Sequence, residues 1–447
     1  MLFRNAFRGV RQLTLVVVAS LSLTGTTAES QVRSRRTTAD TVRLTLIEAR
    51  ARGLRDNADL TAARVDTAIA RGQLRQAATL PFNPSTDVLA PMSGNGTEIG
   101  VSQELEVFGQ RGQRVSVGRA ALNRATAGIL NAQRRTVGEI DRAFYRLAAA
   151  SQQSALAQDV LALNQRLATV AERQLAAGEI SRLDYNLAVI ELGRSRTRAL
   201  ASQREREQVE LTILQLLGLS PTTHVVPDLS DIQDEGAPDS VSGVPRAAHA
   251  HAARAAQLSA DSLTALALIR RPDLAEQNAA IAEARAEATL ARREALPNLL
   301  LRGVVQPGQN GGTVFQPGVG LTLPLFNRNR GLAQARDAAA RQSELQRSSL
   351  VIQLRTQIAS NVATYQSAAQ EVEILETTVL EPARQNRQLL EIAYREGKVG
   401  LPVLLLIRNQ VIDAELEYWA SWLAERLALA DLAEATSSNT VADQPRP

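Results

Sequence analysis

From about residue 45 to 435 the chain states one pattern twice, about 215 to 220 positions apart. Asp59-Leu60 returns as Asp273-Leu274, and Gly100-Val-Ser-Gln-Glu-Leu-Glu-Val-Phe108 returns as Gly318-Val-Gly-Leu-Thr-Leu-Pro-Leu-Phe326. Gly112 pairs with Gly331, and Arg173-Gln-Leu-Ala-Ala-Gly178 is answered by Tyr394-Arg-Glu-Gly397. A near-constant offset across matches of different character indicates duplication of one supersecondary unit. Whatever fold the chain adopts must be built from that unit used twice.

Each unit opens with a helical pattern. In the first, Leu46, Ala49, Gly53, Leu60, Ala63, Ile69 and Leu74 keep the spacing of one amphipathic helix, ended by Pro81 and Pro84. The period then changes from helical to two. Ile99, Val101, Leu105 and Val107 alternate with Glu98, Ser102, Glu104 and Glu106, and Val319, Leu321, Leu323 and Leu325 keep the same parity in the second unit. That alternation predicts two-faced strands. Partner strands precede them, with Thr86, Val88 and Ala90 on one parity and, in the second unit, Leu299, Leu301 and Val305. The connections 91–96 and 307–312 consist of turn residues, so each unit supplies one hairpin.

Long helices follow, 110–177 and 329–396, each on the order of 100 Å if fully helical. Leu156, Val160, Leu163, Leu167 and Val170 make a heptad seam in the first, and Pro382 predicts a disturbance after Val379 in the second. Glycine turns at Gly178 and at Gly397 to Gly400 reverse the chain into return helices, Leu183 to Leu217 and Val403 to Leu432. The fold class expected is mainly α with a small β part. Its divisions are 45–219 for the first repeat with hairpin 82–108, a linker 220–263, and 264–436 for the second repeat with hairpin 297–326. Residues 29–44 are expected to be a flexible N-terminal segment and 437–447 a disordered tail.

Residues 1–28 carry Arg4, Arg8 and Arg11, then the apolar run Leu13 to Leu23, then small residues at Thr26-Thr-Ala28, the pattern of a secretory signal peptide. The run is too short to span a bilayer, which takes about 20 residues, although an uncleaved anchor is the alternative. The chain contains no cysteine, so disulfides, thiolate metal sites and a lipidated N-terminal cysteine are not available to it. Aromatics make up 3% of the residues, and Ala, Leu, Arg, Gln and Glu dominate, a composition of long helices. Net charge is only +4, with no concentrated basic face, which argues against a nucleic-acid partner.

No nucleophile motif, phosphate loop or zinc-protease signature is present, so neither an enzyme nor a cofactor is expected. The three histidines, His224, His249 and His251, lie in or beside the linker without acidic or thiol neighbours to complete a metal site. Glu98, Glu104 and Glu106 sit opposite the apolar parity. In a membrane barrel that parity faces the lumen, and in a soluble sheet it faces solvent. Four strands cannot close a barrel alone and would leave exposed edges, so a small hairpin layer packed on helices is the competing reading.

Together these elements resemble the TolC-type outer membrane efflux proteins. The resemblance rests on Gly178-Glu-Ile-Ser181 with Asp184, on Tyr394-Arg-Glu-Gly397, and on the hairpin ends Gln103-Glu-Leu-Glu-Val-Phe-Gly109 and Leu323-Pro-Leu-Phe-Asn-Arg-Asn-Arg-Gly331. The last is similar to the heavy-metal (CzcC-like) branch. The resemblance implies a homotrimer in the outer membrane, with four strands per protomer joined in one barrel and a helical tunnel reaching into the periplasm. A periplasmic adaptor and an inner-membrane pump, of the resistance-nodulation-division type, would dock at the tips carrying Gly178, Ser181, Tyr394, Gly397 and Gly400. It also implies a gate near Asp184, Val403 and Leu406. Relatives often place acids six and nine residues after the second tip glycine, and this chain has Val403 and Leu406 there; ordinary helix–helix core is the alternative for both. A periplasmic coiled-coil scaffold without a pore is the rival function.

Overall fold

A computed structural model describes residues 41–89, 97–230, 256–308, 311–324, 326 and 328–437. The signal peptide, the turn 91–96, His249, His251, Leu325 and the tail beyond Ser437 lie outside the described residues. The element order is β1 (Thr41–Leu44), α1 (Leu46–Asp56), α2 (Ala58–Ala78), β2 (Ser85–Leu89), β3 (Glu98–Leu105), α3 (Gln110–Ala176), α4 (Arg182–Leu216) and β4 (His224–Pro227). It continues with α5 (Ala260–Arg270), α6 (Pro272–Arg293), β5 (Leu299–Pro307), β6 (Thr313–Leu321), α7 (Arg330–Ile374), a π-helical turn (Leu375–Leu380), α8 (Glu381–Arg395) and α9 (Leu401–Thr436).

The expected first helix is two helices. Thr45 and Glu48 start α1 with a capping box, in which the Glu48 N–H donates to Thr45 Oγ1 (3.3 Å) and the Thr45 N–H donates to Glu48 Oε2 (3.1 Å). Asn57 then leaves the helical region and caps α2, its Oδ1 accepting from the Leu60 N–H at 3.0 Å. Its Nδ2 donates to Leu216 O at 3.1 Å, fastening this break to the last turn of α4. The second unit solves the same joint with different chemistry. Arg271 stands between α5 and α6 and its Nη1 donates to Ala435 O at 3.2 Å, in the last turn of α9. Asn57→Ala removes a cap worth about 1 kcal/mol and leaves the Leu216 carbonyl short of a donor. The expected result is a lowered thermal midpoint with unchanged secondary structure, read by circular dichroism.

Two strands fall where irregular chain was expected. β1 closes the N-terminal segment and β4 begins the linker, and they pair in parallel, Val42 with Val225 and Leu44 with Pro227. Glu210, buried on α4, accepts the Val225 N–H at 2.6 Å and holds this ribbon against the helices. His224 lies at the start of β4, with Nδ1 3.5 Å from Glu210 Oε1.

The hairpins join in a single antiparallel sheet of order β2-β3-β5-β6, with β3 pairing β5 across the repeat boundary. From that sheet α3 runs 67 residues, about 100 Å at 1.5 Å per residue. It packs against α1, α2, α4, α6 and α9 along its length. Small residues set the approach. A Cβ on Gly118 of α3 would stand 3.0 Å from the Leu74 Cα, so α2 lies against bare backbone there. The main core gathers Phe144, Tyr145, Leu147, Leu217, Tyr418 and Trp422, and most of the rings stack edge to face, with centroids 6.2 Å apart for Tyr145–Trp422 and 5.4 Å for Tyr418–Trp419. Beside it, the disturbance expected at Pro382 takes the form of a π turn: winding wider just before the proline accommodates a residue that cannot donate to the helix. Tyr418 Oη donates to Glu376 Oε1 on that turn at 3.3 Å, and burial, with the Glu376 charge, pushes the phenol well above its ordinary pKa.

Candidate functional site

The register of the sheet gathers most of its large apolar side chains on one face, with Gln103 among them, and its charges on the other, beside Leu89, Leu300, Val304 and Val314. On one face lie Val88, Ile99, Val101, Leu301, Val305, Phe315, Val319 and Leu321, every one exposed, with Val101 at 49%. The opposite face carries Ser85, Asp87, Glu98, Ser102, Glu104, Arg302 and Gln316. Ser85 and Ser102 hydroxyls meet across it at 2.7 Å, and Ser102 stands opposite Arg302. Of the three glutamates singled out, Glu98 and Glu104 are on β3, and Glu104 accepts from Asn298 Nδ2 at 2.8 Å. Glu106 is past the strand, where both carboxylate oxygens are held by Arg114 in the first turns of α3, one at 2.7 Å. It ties sheet to helix. Among the described residues β2 and β6 each have one strand neighbour, so the sheet ends there in two unpaired edges.

At the other end of the long helices the two turns repeat bond for bond. Gly178, at φ +75°, donates its N–H to Leu175 O (3.0 Å) and Glu179 donates to Gln174 O (2.9 Å). Gly397, at φ +70°, donates to Tyr394 O (3.0 Å) and Lys398 donates to Ala393 O (2.9 Å). Both are Schellman endings, in which only glycine takes the left-handed position without strain. The N-termini that follow differ. Ser181 and Asp184 form a capping box: the Ser181 hydroxyl donates to Asp184 Oδ2 (2.7 Å), and the Asp184 N–H donates to Ser181 Oγ (3.1 Å). At the equivalent places in the second unit Gly400 and Val403 provide no side-chain cap. Both halves of the box are absent together, so the Asp184/Val403 asymmetry has a local structural component in helix capping.

Leu390, Leu401, Leu404 and Leu405 pack with Ala171 and Ala188 to join the two tips in one small core. Val403 and Leu406 point away from it, 44% and 61% exposed. The alternative that they are packed core is not met within the protomer. Burial raises the pKa of Tyr394, which packs against this core.

One group escaped the sequence reading. Behind the tips a polar layer crosses the apolar packing, with Asn164 on α3, Glu191 on α4, and Arg408 and Asn409 on α9. Arg408 donates through Nη2 to Asn164 Oδ1, Asn409 Nδ2 donates to Glu191 Oε2 (3.2 Å), and Arg194 donates to Glu191 Oε1 (2.9 Å). Burial lowers the pKa of Arg408, and the Glu191 charge opposes that shift. The signal was present. Arg408 falls between Leu404 and Val411-Ile412 on the buried stripe of α9, where a charge has no solvated explanation.

Residues 263–437 match the model of the family described as outer membrane efflux protein. Among curated relatives it is similar to the cobalt-zinc-cadmium resistance protein CzcC of Cupriavidus metallidurans, 22% identical over 84% of this chain and 85% of that protein. Among solved structures its fold is similar to the CmeC outer membrane channel of Campylobacter jejuni, with TM-score 0.70 and 13% identity over 90% of this chain and 87% of that one. It is similar also to the MtrE outer membrane channel of Neisseria gonorrhoeae in its open state, with TM-score 0.65 and 18% identity over 88% of each chain. The chain shares their mainly helical fold with a small sheet, and no helix among the described residues is long and apolar enough to cross a membrane.

Proposed function

We propose that this chain is an outer membrane efflux protein, the exit duct of a tripartite system, a homotrimer that conducts substrate from an inner-membrane pump through a periplasmic adaptor to the exterior. The observation that carries the reading is the four-stranded sheet, with a mainly apolar exposed face, an opposite face that carries the charged side chains, and two edges unpaired among the described residues. An apolar face of that extent in water, on strands with unpaired edges, is an aggregation hazard. Three copies, edge to edge, place twelve strands in a closed barrel, with the apolar face toward lipid and Asp87, Glu98, Glu104 and Arg302 toward the lumen. Strands of nine residues, as in β5 and β6, match the 9–11 that cross a bilayer tilted.

The scaffold alternative explains the helices but leaves that face without a purpose. The two separate on fractionation. The duct migrates as a heat-modifiable trimer from the detergent-extracted outer membrane, whereas recovery in the soluble periplasmic extract would defeat the proposal.

The gate assigned to Val403 and Leu406 rests on their exposure beside the second tip. Around a threefold axis they would meet as an apolar ring, with Asp184 adding charge behind its cap. Val403→Asp places three carboxylates in that ring. It is expected to raise cation selectivity and to introduce block by multivalent cations in single-channel recordings; unchanged conductance and block would remove Val403 from the gate. The tips carrying Gly178, Ser181, Tyr394, Gly397 and Gly400 serve as the adaptor-docking surface in this reading.

Likeness to a cobalt-zinc-cadmium resistance protein favours divalent metal cations as cargo. With no cysteine and two methionines the duct has few soft donors with which to choose among metals, so selection rests with the pump. A deletion strain is expected to lose growth on zinc, cobalt or cadmium while keeping its tolerance of dyes. Loss on dyes alone would redirect the substrate assignment to organic compounds.

A further inference from the structure

The four strand–helix connections lie at one end of the sheet, where β2 and β5 begin and β3 and β6 end. Hydrogen bonds hold them at a common level. Gln103 Nε2 donates to Phe82 O (2.8 Å), Gln110 Nε2 to Asn298 Oδ1 (3.3 Å), and the Thr322 N–H to Asn298 O (3.2 Å). Large apolar side chains stand exposed at this level: Leu80 and Phe82 before β2, Val107 and Phe108 after β3, Leu323 and Phe326 after β6. Arginines accompany them. Residues 79–84, 106–114, 292–298 and 322–330 contain six arginines against Glu106 and Glu294, so this zone draws anions. Arg114 and Arg292 are paired with Glu106 and Asp337. Arg111 and Arg293 donate to main-chain carbonyls, Ala78 O at 2.9 Å and Phe108 O at 3.3 Å, and keep their charge unopposed. Arg328 and Arg330 are exposed, with no hydrogen bond or ion pair among the described residues.

We propose that this belt holds the phosphates of anionic glycerophospholipids, in the leaflet nearest the helices, in preference to zwitterionic lipid. The proposal rests on the reading that the sheet lies in a membrane barrel. Strand length then fixes the level. Nine-residue strands tilted by about 40° span on the order of 25 Å, the height of the apolar band of such barrels, so the hydrocarbon ends where the connections begin. Val107 and Leu323 continue the apolar parity past the strand ends, and Phe82, Phe108 and Phe326 stand at the level of an aromatic girdle. Lipid phosphates come next, beside Arg111, Arg293, Arg328 and Arg330. Guanidinium offers paired N–H donors that match phosphate oxygens, and its charge repels the ammonium of a zwitterionic headgroup. An acidic protein partner would satisfy the arginines but leave the phenylalanines and the adjoining apolar face in water. One lipid leaflet covers all three.

The test uses the full-length protein in phosphatidylcholine vesicles that carry a trace of nitroxide-labelled phosphatidylglycerol or nitroxide-labelled phosphatidylcholine. Electron spin resonance separates lipid slowed at the protein surface from bulk lipid. Wild type is expected to prefer phosphatidylglycerol about threefold, and about 1 M sodium chloride to remove most of that preference by screening. Arg328→Gln combined with Arg330→Gln, both at exposed positions, is expected at least to halve the preference at low salt. Arg196→Gln combined with Arg204→Gln removes two exposed charges from α4 and is expected to leave the preference unchanged. A slowed component without headgroup preference, or a preference as strong in the Arg328/Arg330 variant as in wild type, overturns the proposal and leaves the barrel standing. No slowed component for either lipid would show that the sheet does not meet lipid, and the barrel reading falls with the proposal.

Discussion

Val101→Arg is expected to remove nearly all of the heat-modifiable trimer from the outer membrane fraction, while Gln316→Arg leaves it within about twofold of wild type. Val101 sits at the middle of β3 on the apolar face, opposite Thr86 and Gly303. Gln316 sits at a similar height on β6, on the opposite face, paired with Val304. An arginine on the lipid face near the bilayer midplane costs about 2–4 kcal/mol per chain, and a trimer bears the cost three times. On the luminal face the same side chain stays hydrated and costs little. The two variants add the same charge to the same sheet, so a general effect of charge on folding would harm both. Only a face that meets lipid harms one. Equal trimer recovery from the two variants would mean that the apolar face is covered by something other than membrane.

Trp422→Ala is expected to give the largest loss of stability in the helical part. Trp422 is 2% exposed, at the centre of the main core. Its ring meets Tyr145 at 6.2 Å and Trp419 at 5.5 Å, and the Arg426 guanidinium lies 5.7 Å from its centroid. Truncating a buried Trp to alanine costs about 3–5 kcal/mol, through lost burial and the cavity left behind. Arg426, itself nearly inaccessible, would lose its aromatic partner as well. In a chain of this size that corresponds to a fall in the thermal midpoint on the order of 5 °C, followed by circular dichroism. Trp422→Phe, which keeps most of the ring stacking, should lose about half as much or less. A midpoint unmoved by the alanine variant would show that the aromatic cluster does not hold the trunk together.

The architecture was legible because its signals are periodic and doubled. Alternation between Ile99 and Val107, repeated in the second unit, placed both hairpins and told their faces apart before any contact was known. Both tip glycines were marked by sequence, and both take the left-handed conformation at the ends of long helices. What the sequence concealed was local and non-periodic. The break at Asn57 interrupts a spacing that continues in phase on both sides, and Asn-Ala-Asp-Leu is only a weak capping signature. β1 and β4 are four residues each, too short for alternation to show, and they pair across most of the first repeat. Pro382 announced a disturbance, yet nothing in its neighbours distinguished a kink from a π turn.

At the tips, the sequence drew notice to Asp184 facing Val403 across the repeat as a difference of charge. The structure adds that Asp184 is bound into a cap with Ser181, and that Gly400 and Val403 lack both partners of that cap. Val403 and Leu406 stand exposed beside the second tip, outside the small core that joins the two turns. Arg408 is inconspicuous in the sequence because it is one charge set among leucines and valines rather than part of a cluster of like residues.

Electrical recording from the purified protein in planar bilayers tests the central claim most directly. A trimeric duct gives stepwise increments of a single predominant size, one for each inserted trimer, and Val403→Asp changes their selectivity without changing how often they appear. Protein that is trimeric, and that is shown by flotation to be inserted in the bilayer, yet gives no increments for wild type or for Val403→Asp, would contradict the claim that this chain forms a conduit.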